Sequence, residues 1–189
     1  MRIISGLFKG KKILQPADKM TRPLKDLTKE SVFNVIEHSN KFSVNIKDSI
    51  ILDLYSGVGS FGLECLSREA KRVTFIENYK GVLPILKKNL FSLKNINNYE
   101  ILNQDINLKS EIILSKLKQK NDIIFLDPPF KDKNLSIIFR KIKNENLLKE
   151  NGIIILHRHK NQKDIFPNNF NIIEEKIYGI SKILFIILN

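Results

Sequence analysis

"SIILDLYSGVGSFG", Ser49 to Gly62, joins a run of branched apolar residues to an acid and then to a turn carrying Gly57, Gly59 and Gly62. An apolar run this short, stopped by turn residues, reads as a strand buried on both faces that leads into a helix. Four further runs share its character: "RVTFIE" (Arg72 to Glu77), "YEILNQ" (Tyr99 to Gln104), "DIIFLD" (Asp122 to Asp127) and "GIIILH" (Gly152 to His157). Lysine-studded segments lie between them. In "GVLPILKKNLFSL", Val82, Leu86, Leu90 and Leu93 recur at near-helical spacing, Lys87 and Lys88 face water, and Pro84 fits only the first turn. Strand and helix in alternation predict an α/β fold, a doubly wound and mostly parallel sheet with helices on both faces.

The two ends depart from this alternation. "RIIS" and "KKIL" flank "GLFKG" as a β-hairpin, and Leu24, Leu27, Val32 and Val35 predict one apolar stripe of a helix running to about His38. These make residues 1–40 an N-terminal extension and 41–189 the main domain, the two forming effectively one compact unit. "FNIIEEKIYGISKILFIILN" predicts two strands turning at "YGIS", so the sheet closes with an antiparallel hairpin.

The 189 residues, 42% of them hydrophobic, suit one full core. "ILFIILN" is far too short to span a bilayer, and the single cysteine, Cys65, rules out an intrachain disulfide or a thiolate zinc cluster. A reducing, cytoplasmic setting is expected. Lys and Arg outnumber Asp and Glu by 32 to 20, a formal charge of +12 that favours a polyanion such as nucleic acid. Richness in Lys, Ile and Asn together also fits A+T-rich coding, so the local crowding decides more. Lys9, Lys11 and Lys12, then Lys19, Arg22, Lys25 and Lys29, give the first thirty residues a basic face.

G-x-G-x-x-G alone admits a nicotinamide dinucleotide, whose pyrophosphate would lie on the helix N-terminus. Asp53, four residues before the first glycine, would repel that pyrophosphate, but suits a ligand with an ammonium group and no phosphate, as in S-adenosylmethionine. A glycine turn with no ligand is the plain alternative. Glu77, twenty residues after Gly57, can accept from ribose hydroxyls of any adenosine ligand. Asp105 suits the adenine amine or a helix N-cap, and the two roles are compatible.

"DPPF", Asp127 to Phe130, ends the fourth strand. In a sheet wound outward from its first strand, the loops after strands one and four adjoin, so Asp53 and Asp127 are expected to open into one crevice. An aromatic amine is a poor nucleophile because its lone pair is delocalised. The Asp127 carboxylate and the Pro128 carbonyl, held by Pro128 and Pro129, could each accept one N–H and favour a pyramidal nitrogen. Asp127 or water then takes the surplus proton, and Phe130 stacks on the base. Taken alone, "DPPF" reads first as a turn with Phe130 packed inward; Asp53 to Gly59 at the other lip turn the reading to catalysis.

"RIISGLFKGKKIL", "TRP" with "DLTKESVFN", "DLYSGVGSFGLECLSREA", "FIEN" and "DPPF" together resemble, in order and spacing, the RsmD family of 16S rRNA guanine-N2 methyltransferases. The likeness spans nearly the whole chain. It implies a Rossmann-like class I methyltransferase with a seven-stranded sheet, acting on one guanine, numbered 966 in 16S rRNA, within a partly assembled small ribosomal subunit. By position it implies that Asp53, Tyr55, Ser56, Gly57, Gly59, Glu77 and Asp105 hold S-adenosylmethionine, and that Asp127, Pro128, Pro129 and Phe130 perform the chemistry. Lys9, Lys11, Lys12, Arg22, Lys25 and Lys29 would meet RNA. A monomer without metal is expected. The chain departs from the family at Leu24, Leu27 and Lys29, where polar residues or arginine are usual, and at "HRHK" after strand five, where an acid is usual.

His157 and His159 lack a third metal ligand and read as surface residues; His38 reads as a helix end and Cys65 as a small core residue. Rival readings are an adenine-N6 DNA methyltransferase, for which a recognition domain has no room, a protein-glutamine methyltransferase, and a basic RNA-binding module with a vestigial pocket.

Overall fold

The computed structural model of the chain describes residues 1–17, 24–106, 114, 117, 119–132 and 134–189. Seven strands form one sheet in the order β3-β2-β1-β4-β5-β7-β6. They are β1 (Ile50–Leu54), β2 (Arg72–Glu77), β3 (Tyr99–Asn103), β4 (Asn121–Leu126), β5 (Leu148–His159), β6 (Phe170–Tyr178) and β7 (Ser181–Leu188). Four helices are described: α1 (Asp26–His38), α2 (Ser60–Ser67), α3 (Leu83–Ser92) and α4, Leu135–Asn144. β1 to β5 pair in parallel, while β7 lies antiparallel between β5 and β6. The predicted closing hairpin is therefore present, with its second strand inside.

Every residue of β1 is buried, because both faces of the sheet are covered. Side chains alternate between two cores. Ile51, Phe75, Phe125 and Ile155 pack with α1, α2, α3 and the N-terminal segment, whereas Leu52, Leu54, Ile124 and Leu156 pack with α4. A stack of rings ties α1 to the sheet, with Phe33–Phe61 centroids 5.1 Å apart and Phe61–Phe125 centroids 4.1 Å apart.

α3 follows the sequence closely. Pro84 lies in its first turn, Leu86 and Leu90 are buried, and Lys87 and Lys88 are exposed. α1 ends at His38 as expected, but its buried stripe is Thr28, Lys29, Val32, Phe33 and Ile36, and Leu27 is 71% exposed. The predicted N-terminal hairpin is held by Ile3 N–H to the Lys11 carbonyl and Gly10 N–H to the Ile3 carbonyl, with one bridge, Arg2 to Lys12. It docks on α2 and α3: Leu7 N–H donates to the Ser67 carbonyl, and Leu14 N–H to Asn89 Oδ1 at 2.8 Å. None of the described helices is long and apolar enough to cross a membrane.

Candidate active site

β1 is the point from which the chain winds outward to β2 on one side and β4 on the other, so the carboxyl ends of β1 and β4 adjoin. Their registry pairs Asp53 with Phe125, and Asp127 N–H donates to the Leu54 carbonyl at 3.3 Å. A cavity of about 660 Å³ opens over these ends. Asp53, Tyr55, Ser56 and Gly57 line it from the β1 side, Glu77 from β2, Asp105 from beyond β3, and Asp127, Pro128, Pro129 and Phe130 from β4. Of the expected cofactor and catalytic residues, Gly59 alone does not line the cavity. The N-terminal segment contributes Leu24, the departure from the family pattern noted above, as an apolar wall.

The glycine turn is dictated locally. Gly59 precedes α2 with φ +83°, and a Cβ there would lie 2.5 Å from Leu86 Cδ1. A Cβ on Gly62 would come 2.2 Å from the Phe75 ring, so glycine lets α2 lie close against β2. Asp53 reaches across this turn: its Oδ2 accepts from Gly62 N–H at 3.1 Å, one of the amides at the start of α2.

Asp53 is 1% exposed, and among the described residues its Oδ1 has no hydrogen-bond partner; neither does the buried Ser60 Oγ. Both residues line the cavity. Burial, then the nearby Asp127 and Glu77 carboxylates, push the Asp53 pKa well above its ordinary value, and the Gly62 hydrogen bond opposes the shift. An unsatisfied carboxylate oxygen with a raised pKa is what a cationic ligand group would relieve. The donor set therefore fits the ammonium end of S-adenosylmethionine.

Glu77 is more committed than the sequence suggests. Its Oε2 accepts from Gly57 N–H at 2.7 Å, and its Oε1 accepts from Asn78 and Tyr79 N–H at 2.8 and 2.7 Å. Of roughly four lone-pair sites on a carboxylate, one remains, on Oε2. Glu77 thus shapes the glycine turn and can take one ribose hydroxyl in this arrangement. Tyr55, at φ +59°, donates its hydroxyl to Asp132 Oδ2 at 3.0 Å, and burial followed by Asp132 raises its pKa.

Two residues of β5 complete the site; His157 corrects the sequence reading, which does not single out Arg158. His157 is not a surface residue: it is 5% exposed, lines the cavity, and brings Nδ1 to 2.8 Å from Asp127 Oδ1. Arg158 is fully buried and paired in a fork with Asp164, at 2.9 and 3.0 Å. Its guanidinium also donates to the Pro129 carbonyl at 3.1 Å and the Asp132 carbonyl at 3.2 Å, pinning the turn after Asp127 from behind. Among the described residues, Asp127 Oδ2 and the Pro128 carbonyl have no hydrogen-bond partner. Phe130 is half-buried on the cavity wall, edge-on to His157 and His159 with centroids 5.8 and 5.4 Å apart.

The basic residues divide. Lys9, Lys12 and Lys25 are exposed, while Lys11 is half-buried and its ammonium donates to the Ser92 carbonyl. Arg22 lies outside the described residues, as does Lys19. Lys29 contradicts its expected role. It is fully buried, 3.5 Å from Glu64 Oε2 and donating to the Arg2 carbonyl at 2.7 Å, so it has no atom to offer an external RNA. Cys65 is buried in α2, and no group of three or more potential metal ligands exists among the described residues.

The chain has relatives among known proteins. A family model described as conserved hypothetical protein 95 matches residues 1–187. Ribosomal RNA small subunit methyltransferase D of Haemophilus influenzae is 36% identical over 184 residues, covering 95% of this chain and 90% of its own. The enzyme of that name from Escherichia coli K12 is 31% identical over 183 residues, covering 95% and 85%. A solved Escherichia coli chain carrying a provisional methyltransferase name superposes with a TM-score of 0.81 at 29% identity, over 98% of this chain and 96% of that one. A solved chain carrying a provisional methyltransferase name, complexed with SAH, shares the fold at a TM-score of 0.62 and 15% identity, over 83% of this chain and 48% of that one. By these matches, which span nearly its whole length, the chain belongs to the RsmD family of small-subunit ribosomal RNA methyltransferases.

Proposed function

We propose that the chain methylates the exocyclic N2 amine of a guanine in 16S ribosomal RNA, the one numbered 966, using S-adenosylmethionine. One observation carries this reading: Asp53, whose buried Oδ1 has no partner among the described residues, and Asp127, whose Oδ1 alone is engaged, line one cavity. When bound, the cofactor supplies an electrophilic methyl on a sulfonium. Asp53 and Ser60 take its ammonium end, Glu77 and Asp105 its adenosine. Asp127 Oδ2 and the Pro128 carbonyl accept the two N–H groups of the target amine, which turns the nitrogen lone pair towards the methyl. Phe130 stacks on the extruded base.

Lys9, Lys12 and Lys25 offer exposed positive charge to phosphates, with Lys11 in a lesser part because its ammonium is engaged. The substrate is ribosomal RNA in a partly assembled small subunit. To test the reading, the protein is incubated with methyl-labelled donor and small subunits from cells lacking the enzyme, and the labelled nucleotide is mapped. Label on one guanine N2 is expected. Label on adenine, on protein, or on nothing would refute it.

A further inference from the structure

We propose that His157 is a positioning residue for Asp127: its Nδ1–H holds Asp127 Oδ1, leaves Oδ2 to the target amine, and makes the strength of that acceptor depend on the charge of the imidazole. The inference rests on the functional reading above and concerns a residue which that reading does not use.

The geometry is a chain of three groups from three strands. Asp127 follows β4, His157 lies near the end of β5, and Ser181 opens β7. Nδ1 is 2.8 Å from Asp127 Oδ1 and Nε2 is 2.9 Å from Ser181 Oγ, so both ring nitrogens are engaged and the ring cannot turn without breaking both contacts. The connectivity is that of an acid–imidazole–serine triad, but its polarity is reversed. Asp127 lines the cavity and Ser181 does not, so the serine is the outer anchor and the carboxylate is the working end. β7 lies against β5 because the terminal hairpin folds back, which is what brings Ser181 to the ring.

Asp127 always accepts from a bound Nδ1–H, whether the ring is neutral or charged. With a neutral ring, Nε2 accepts from the Ser181 hydroxyl and Asp127 presents its negative charge to the amine. With an imidazolium, the cation competes for that charge and weakens Oδ2 as an acceptor. The charged groups acting on the ring are Asp127 after β4 and Arg158 next on β5; β7 presents the neutral Ser181, and Asp53 lines the same cavity. Burial pushes the His157 pKa down, the charge and hydrogen bond of Asp127 push it up, Arg158 opposes, and the net direction is upward. Methyl transfer should therefore rise with pH through a titration above the ordinary histidine value.

The test has two arms. The chain has 3 histidines, His38, His157 and His159, so each ring can be followed by NMR as pH is varied, without any substrate. Asp127→Asn is expected to move the His157 titration to lower pH and leave His38 in place; an unmoved His157 would overturn the pairing. In the second arm, single-turnover methyl transfer is measured at saturating donor, so that loss of cofactor binding does not enter. His157→Ala is expected to slow transfer on the order of 100-fold, the scale of a misplaced catalytic group, in a variant that still folds and keeps donor affinity near wild type. His157→Asn keeps a donor near the Nδ1 position but cannot titrate. It should recover most of the loss at high pH and flatten the acid limb. His157→Ala within about twofold of wild type, or an acid limb surviving in His157→Asn, would overturn the proposal. If the wild type methylates no RNA, the functional reading fails, and the NMR arm still decides the pairing.

Discussion

Lys29 and Glu64 lie 3.5 Å apart with neither side chain exposed. Glu64 is also the acceptor for Ile4 N–H at 2.7 Å, Ser5 N–H at 2.8 Å and Arg68 Nε at 3.0 Å, while the Lys29 ammonium donates to the Arg2 carbonyl. This cluster joins the hairpin, α1 and α2. Burial lowers the Lys29 pKa, and Glu64 opposes that shift. Lys29→Met should cost about 1–3 kcal/mol, the range for buried polar groups losing one partner, since Glu64 keeps Arg68 and two amides. Chemical denaturation measures this. RNA affinity of the folded variant should be unchanged, and a weaker, less salt-dependent complex would restore Lys29 to the RNA surface.

Lys9 and Lys12 behave oppositely. Both are exposed at the hairpin, and replacing them with glutamine should weaken RNA binding and reduce the slope of log K against log salt by about 0.7–0.9 per lost phosphate contact. Binding measured across a salt series checks this. An unaltered slope would mean that these lysines only solvate the surface.

Asp53 links cofactor binding to protons. Its pKa in the free protein is raised, chiefly by burial, so at pH values below that raised pKa it carries a proton that an ammonium ligand must displace. Binding should release a proton, and donor affinity should climb as pH rises through that pKa and then level off. Calorimetry in two buffers of different ionisation enthalpy reads the proton directly. Asp53→Asn should bind weakly with no pH dependence. Wild-type heats that do not change with buffer would contradict the assignment.

Arg158 holds the turn after Asp127 through the Pro129 and Asp132 carbonyls. Lysine lacks the fork needed to serve Asp164 and both carbonyls together. Arg158→Lys should lower the melting temperature and slow methyl transfer about tenfold, because the acceptors lose their fixed placement. Donor affinity should change little, and a selective loss of donor binding would tie Arg158 to the cofactor instead.

The sheet was legible because its parallel strands are covered on both faces and read as uninterrupted apolar runs. β2 spans Arg72–Glu77, as its residues predict, and β1, β3 and β4 end within a residue or so of expectation. β5 is longer than predicted, since the polar "KEN" after Leu148 interrupts its apolar run while the strand continues. In α1, the visible leucines suggested one stripe, yet Lys29, Val32, Phe33 and Ile36 lie at helical spacing and form the buried one. Charge drew the reading outward where periodicity pointed in. His157 and Arg158 were missed for a different reason. A polar cluster at a strand end normally meets water, and here it is covered only because β7 folds back and Asp164 reaches Arg158. The one available signal was the "YGIS" turn, which sets β7 beside the end of β5. Asp53, Glu77 and Asp127 were legible because each closes an apolar run at the same edge.

The central claim is a division of labour across one cavity, with Asp53 serving the cofactor and Asp127 the target base. Its most direct measurement pairs donor calorimetry with single-turnover methyl transfer to small subunits for Asp127→Ala. Donor affinity within about twofold of wild type, with transfer reduced by roughly 1,000-fold or more, is the expected result. Near-normal transfer, or a donor affinity that collapses with the activity, would contradict the account.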